Sequence, residues 1–242
     1  SFYATGSIDT KLTFTKPGWF ESVAAECKAT REAVALYDQS PFGKLVVEGV
    51  DALAVLQRVC ANDVDVESGR VVYSPILNRR GGYESDVVIL RSGEQTFMMI
   101  TGAAQTARDV HWLRRYTDQA ERVSLTDVSS NWNVIAIMGP QAREVLQRVT
   151  NSDVGNSGFP YLSHREIEIG YANALAVRIS YVGELGWEIY VSTDMTQHVY
   201  ELLMDAGNDL GIRHAGTFAQ TSLRIEKAYL SWGHDIGPAD TP

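Results

Sequence analysis

The stretch Arg178-Ile-Ser-Tyr-Val-Gly-Glu-Leu-Gly-Trp-Glu-Ile-Tyr190 constrains this chain more than any other. Its apolar residues recur at every second position on both sides of a glycine-punctuated turn, the period of a half-buried strand rather than a helix. Alternation puts Val177, Ile179 and Tyr181 on one face, and Trp187, Ile189 and Val191 on one face of the returning strand. Glu188 then points away from that apolar set, beside Tyr190. A carboxylate and a phenol on one rigid hairpin suit a flat, nitrogen-rich heterocycle. The carboxylate accepts from ring N–H and amine donors, and the aromatic ring packs or donates from the side. The same pattern also describes a surface hairpin with a solvated Glu and a core Tyr, and this segment alone leaves both open.

A second hairpin is written into Val71–Leu77 and Tyr83–Arg91, joined by Asn78-Arg-Arg-Gly-Gly82 with the residues a tight turn wants. Asp86 lies in its outgoing strand, sharing a face with Glu84, Val88 and Leu90, while Tyr83, Ser85, Val87 and Ile89 share the other. Asp is depleted in strands because its side chain competes for backbone groups. On a partly dry face its pKa rises, which suits general acid–base work on an amine. An edge-strand Asp facing water is the alternative. Around the hairpins, helices are expected at Pro17–Leu36, Asp51–Cys60 (with Asp51 as cap), Ala104–Tyr116, Gln141–Val149, Met195–Leu210 and Gly216–Ala228. Further strands are expected at Lys44–Val50, Thr96–Thr101, Val123–Leu125, Val134–Met138, Tyr161–Ile169 and Leu175–Tyr181. Hairpins interrupted by helices, without strict βαβα alternation, give an α+β class.

Composition removes several functions. With 21 basic and 30 acidic residues the net charge is −9, which argues against nucleic acid. No apolar run approaches the roughly 20 residues that span a bilayer, so no membrane partner is expected. Cys27 and Cys60 are too few for a disulfide framework, and the five histidines show no metal-binding spacing, so no metal is expected. A reducing compartment fits: cytoplasmic, or the mitochondrial matrix if the source is eukaryotic. The absence of an initial Met and the loop-like end Asp235–Pro242 suggest a piece of a longer polypeptide.

Five segments together resemble the folate-binding module of the glycine-cleavage aminomethyltransferase family. They are Ala35–Lys44, Leu77–Asp86, Met138-Gly-Pro-Gln-Ala142, Tyr181-Val-Gly-Glu-Leu-Gly-Trp-Glu188 and Ala215–Glu226, and they follow the family's order across nearly the whole chain. Ser40-Pro-Phe-Gly-Lys44 and Arg224–Gly233 are most similar to the dimethylglycine and sarcosine dehydrogenase branch, where the module is the C-terminal half of a flavoprotein. The resemblance implies two interleaved α/β lobes with antiparallel or mixed sheets. Residues 1–44 and 145–236 would form one discontinuous lobe, 45–144 an inserted lobe carrying Asp86, and 237–242 a link toward a further β domain.

By motif position, the resemblance makes Asp86 the active-site aspartate, Tyr181 and Glu188 the residues that hold the pterin, and Gln220 a further cofactor contact. It implies tetrahydrofolate as acceptor of a carbon from a small methylated amine or its iminium. FAD would enter only through a flavin oxidoreductase partner domain. Folate-dependent O- or S-demethylation and a folate-binding assembly or repair protein are the other readings. Two departures matter: the glycine-cleavage branch tends to pair aspartates where this chain has Ser85-Asp86, and tends to place arginine where Gln220 stands.

Overall fold

A computed structural model of the chain describes residues 14–242. The first part of the expected 1–44 segment, residues 1–13, lies outside the described residues. In chain order the elements are α1 (Phe20–Glu32), β1 (Ala35–Asp38), β2 (Gly43–Glu48), α2 (Ala52–Val59), β3 (Val71–Leu77), β4 (Tyr83–Arg91), β5 (Thr96–Thr101) and α3 (Thr106–Tyr116). There follow β6 (Ser124–Asp127), β7 (Trp132–Met138), α4 (Ala142–Val149), β8 (His164–Ile169), β9 (Ala172–Val177), β10 (Gly186–Ser192), α5 (Thr196–Gly207), β11 (Arg213–Ala215) and α6 (Thr217–Glu226). The class is α+β, as the hairpin pattern requires.

The chain divides into two compact units. The first runs to Gln39 and resumes over Val134–Tyr161 and Glu166–Tyr229. Its six-stranded sheet has the order β11-β1-β7-β10-β9-β8. The sheet is mixed: β1 pairs parallel with β11 and antiparallel with β7, and β10 pairs antiparallel with β9. Trp187, Ile189 and Val191 go into one core with Val145, Leu146, Val199 and Leu203 from α4 and α5. Tyr37, Ala136 and Met138 go into another with Val23 of α1 and Ala219 and Leu223 of α6. Strands with two covered faces need apolar residues throughout, which Val134–Met138 supplies.

The second unit comprises Ser40–Asn133, Leu162–Arg165 and Leu230–Pro242. Its five strands, ordered β3-β4-β5-β2-β6, are antiparallel throughout. Val72, Ile76, Val87, Ile89, Phe97 and Met99 alternate into one core with Leu56 of α2 and Leu113 of α3. Lys44 is wholly buried, and its Nζ donates to the carbonyls of Ser40 (2.7 Å), Trp132 (2.8 Å) and Ser129 (3.3 Å). A buried ammonium is tolerated only when its donors are engaged in this way.

Three expectations need correction. Asp51 precedes α2 but does not cap it; its Oδ2 accepts instead from the Arg122 amide at 2.8 Å. The stretch Pro17–Leu36 is not one helix: α1 stops at Glu32 and Leu36 belongs to β1, which pairs with β7 and β11 and buries Ala35, Leu36 and Tyr37. The outgoing strand of the opening hairpin ends at Val177, not Tyr181. There the Ile179 amide folds back onto Val177 O at 3.0 Å, an i to i+2 bond that takes it out of the ladder. Residues 178–185 are therefore a loop, with Gly183 at φ +73°.

Candidate functional site

In the first unit the alternation of β10 sets the chemistry. Burying Trp187, Ile189 and Val191 leaves Glu188 and Tyr190 on the opposite face. Glu188 lies opposite Val177, and Tyr190 opposite Leu175, in the antiparallel register with β9. Tyr190 donates its hydroxyl to Glu188 Oε2 at 2.8 Å. Among the described residues Glu188 has no cationic partner. The residue is half-buried as a whole, and desolvation of its carboxyl pushes the pKa up to about 7, opposed by the Tyr190 bond. Burial, then the adjacent Glu188 carboxylate, holds the Tyr190 phenol well above its ordinary range. This pair can exchange a proton near neutrality and present a carboxylate oxygen to a ligand's N–H groups.

Tyr181 sits in the 178–185 loop, its ring nearly parallel to Tyr229 at 12°, with centroids 6.2 Å apart. Arg31, which the sequence pattern does not single out, organises this loop. From α1 it donates to Val182 O (2.6 Å), Glu184 Oε1 (2.9 Å), Leu223 O (3.1 Å) and Glu226 Oε2 (2.8 Å). No local signal marks it, because its partners lie more than 150 residues away. Gln220, on α6, has its Nε2 shielded from solvent with no acceptor among the described residues. Tyr181, Glu188 and Gln220 thus share one unit, and Asp86 belongs to the other.

In the second unit, β4 turns Ser85, Val87 and Ile89 inward and Asp86 to the opposite face, as alternation requires. Asp86 lies opposite Pro75 of β3 and accepts from the Tyr73 hydroxyl at 3.2 Å. Desolvation raises the Asp86 pKa, and the Tyr73 bond opposes it. Tyr73 also escapes the sequence pattern, although counting the hairpin register back from Gly81-Gly82 places it two residues from the one opposite Asp86. Beneath β4, the buried Asp109 of α3 accepts from Ser85 Oγ at 2.9 Å and from a short contact with Thr101 Oγ1. Burial raises its pKa, and the charge of Asp86 adds to the rise. The hairpin turn is closed by Asn78, whose Oδ1 accepts from the amides of Arg80 (2.9 Å) and Gly82 (3.0 Å). Among the described residues no three His, Cys, Asp or Glu side chains group as a metal site, and no helix is long and apolar enough to cross a membrane.

The chain is 40% identical over 230 residues to a 4-methylaminobutanoate oxidase (formaldehyde-forming) of Paenarthrobacter nicotinovorans, covering 95% of this chain and 28% of that protein. It is 36% identical over 239 residues to the mitochondrial pyruvate dehydrogenase phosphatase regulatory subunit of Mus musculus, covering 98% of this chain and 27% of that one. Dimethylglycine and sarcosine dehydrogenases are also among its relatives. The chain therefore spans little more than a quarter of the length of these curated proteins. Among solved structures it resembles the glycine cleavage system aminomethyltransferase T from Bartonella henselae, with TM-score 0.80 and 28% identity over 91% of this chain and 58% of that one. The family model described as the GCVT N-terminal domain matches residues 1–242, and the chain belongs to that aminomethyltransferase family.

Proposed function

We propose that this chain is a tetrahydrofolate-binding one-carbon transfer module, capturing the methyl-derived carbon of an N-methylamine as 5,10-methylene-tetrahydrofolate. The observation that carries the reading is the Glu188–Tyr190 pair. It is a carboxyl poised near neutrality, with one oxygen held by Tyr190 and with no cation among the described residues to saturate it. Such a group fits a heterocycle rich in N–H donors. The shielded Nε2 of Gln220 fits an acceptor on the same class of ligand. In this reading Tyr181 contributes an aromatic face, and Arg31 keeps its loop in place.

Tetrahydrofolate, when bound, supplies the two amine nitrogens that accept the carbon. Conversion of a methylene iminium and tetrahydrofolate to free amine and the methylene product releases one proton. Asp86 is the group that receives it. A carboxyl with a raised pKa accepts a proton near neutrality more readily than an ordinary Asp, and its charge offsets a cationic intermediate. Holding the nitrogen beside the carbon is the larger contribution, worth about 7–11 kcal/mol when geometry is ideal. The amine oxidation itself would belong to a flavin-bearing partner domain or subunit; that some relatives are named as oxidases and dehydrogenases supports an oxidative partner.

Calorimetry of tetrahydrofolate with the chain tests the reading. Saturable binding that Glu188→Gln weakens supports it; absence of binding to the folded wild type refutes it. A second reading, a regulatory folate-binding protein, is favoured by the relative named as a phosphatase regulatory subunit. Folate binding without any one-carbon transfer by the complete protein would select it.

A further inference from the structure

On the opposite face of β10 from Glu188, two arginines converge with no counter-charge among the described residues. The Arg143 guanidinium lies 5.4 Å from the Trp187 ring centroid, and that of Arg178 lies 5.6 Å from the same ring. Both donate to one neutral oxygen, Asn156 Oδ1, at 2.7 Å from Arg143 and 2.8 Å from Arg178. Their other contacts are also neutral: Arg143 reaches Val154 O, and Arg178 reaches Phe159 O at 2.5 Å. Two other arginines of this unit meet carboxylates, Arg31 with Glu184 and Glu226, and Arg148 with Asp209. Among the described residues neither Arg143 nor Arg178 does. The acids nearest in sequence are engaged: Glu144 pairs with Arg148 at 3.2 Å, and Asp153 Oδ1 accepts from the Gly155 amide at 2.7 Å.

Three further observations point to an absent acceptor. Trp187 is fully buried, and its indole N–H has no partner among the described residues. Arg178 Nε is likewise shielded, with no acceptor among the described residues. Burial and the neighbouring Arg143 charge both disfavour the Arg178 cation, a cost that an anion would relieve. Two planar guanidinium forks on one oxygen match the way carboxylates and phosphates are recognised. Asn156 is exposed on a loop, so its amide can swing aside without disturbing the core.

We propose that Arg143 and Arg178, over the floor of Trp187, form a binding site for a small oxyanion, with Asn156 as the neutral stand-in that the anion displaces. The site is separate from the proposed folate contacts, being on the other face of β10, and it does not depend on that reading.

The test is an NMR titration of the arginine Nε–H and tryptophan indole N–H signals of the folded chain. Sodium phosphate is used in one arm and sodium acetate in the other, with sodium chloride matching the ionic strength. Saturable shifts of the Arg143, Arg178 and Trp187 signals, lost in Arg143→Gln and Arg178→Gln and several-fold tighter in Asn156→Ala, are expected. Response to phosphate alone assigns a phosphate-class ligand; response to acetate assigns a carboxylate. If Arg178→Gln does not fold, Arg178→Lys keeps the charge and loses the fork, and weakened binding is again expected. Shifts no greater than those in chloride, in both the wild type and Asn156→Ala, would overturn the site. So would shifts that survive loss of either guanidinium.

Discussion

Tyr190 and Glu188, two residues apart on β10, share one hydrogen bond of 2.8 Å on the face of the strand opposite Trp187. The phenol is the donor, so the bond favours the carboxylate over the carboxylic acid, while burial favours the acid. Burial wins, and the group titrates near pH 7.

That balance sets a pH dependence whose sign is opposite to that of an ion-paired carboxylate. A Glu with a folded pKa of about 7 and an ordinary value of 4.5 holds its proton in the folded state while the unfolded chain has lost it. The folded state therefore loses stability as pH rises from about 4.5 to about 7, by at most about 3–4 kcal/mol, because a tenfold change in proton affinity is worth about 1.4 kcal/mol. Glu188→Gln should flatten this part of the profile, as measured by urea unfolding at a series of pH values. Tyr190→Phe should raise the Glu188 midpoint further, seen by carboxyl NMR.

Binding of an N–H-rich ligand should draw out the ionised form of Glu188. Below pH about 7 the wild type should then release a proton on taking up tetrahydrofolate. Calorimetry in buffers of differing ionisation heat reads that proton directly, and Glu188→Gln should release less.

Asp86→Asn keeps the size and the acceptor for Tyr73 but removes the charge. Folding and folate binding should be nearly unchanged, while methylene-tetrahydrofolate formation in the complete protein should fall about 10²–10⁴-fold, the usual range for loss of a general base. Single-turnover kinetics would separate this from a binding defect. A rate within about twofold of wild type would remove Asp86 from the chemistry.

Asp109→Ala removes the carboxyl to which two buried hydroxyls, Ser85 Oγ and Thr101 Oγ1, donate, and leaves Ser85 with only its long 3.4 Å bond to Gln105 Oε1. The cost should be about 1–3 kcal/mol for an unsatisfied group. Asp109→Asn, which can still accept one of them, should cost less; chemical denaturation of the two variants gives the comparison.

Gly139 has φ +137°, and a Cβ there would meet Ala33 O at 2.5 Å and Thr30 O at 2.9 Å. Its amide also donates to Leu185 O at 2.8 Å, joining the end of β7 to the loop before β10. Gly139→Ala should therefore lower stability by about 1–3 kcal/mol or more, through strain and backbone clash together. Thermal unfolding gives the direct measure. A midpoint equal to wild type would show that the backbone relaxes at no cost.

Features that depend on near neighbours in the chain can be read from the order of residues alone. Val71–Leu77, Tyr83–Arg91 and Thr96–Thr101 were legible to the residue because the strand period is two and Asn78 with Gly81 closes the turn locally. The opposite facing of Glu188 and Trp187, and of Asp86 and Ser85, follows from the same period. What the tertiary structure decided involves partners distant in sequence. Tyr181 left the strand for a loop tied down by Arg31, 151 residues before Val182. Asp51 surrendered its cap to the Arg122 amide. Asp109 found Ser85 and Thr101 only once α3 packed under the sheet. Arg143 and Arg178, 35 positions apart, were joined over one indole. Periodicity reports which face a side chain takes; desolvation, and the hydrogen bonds that offset it, depend on what the rest of the chain brings to that face.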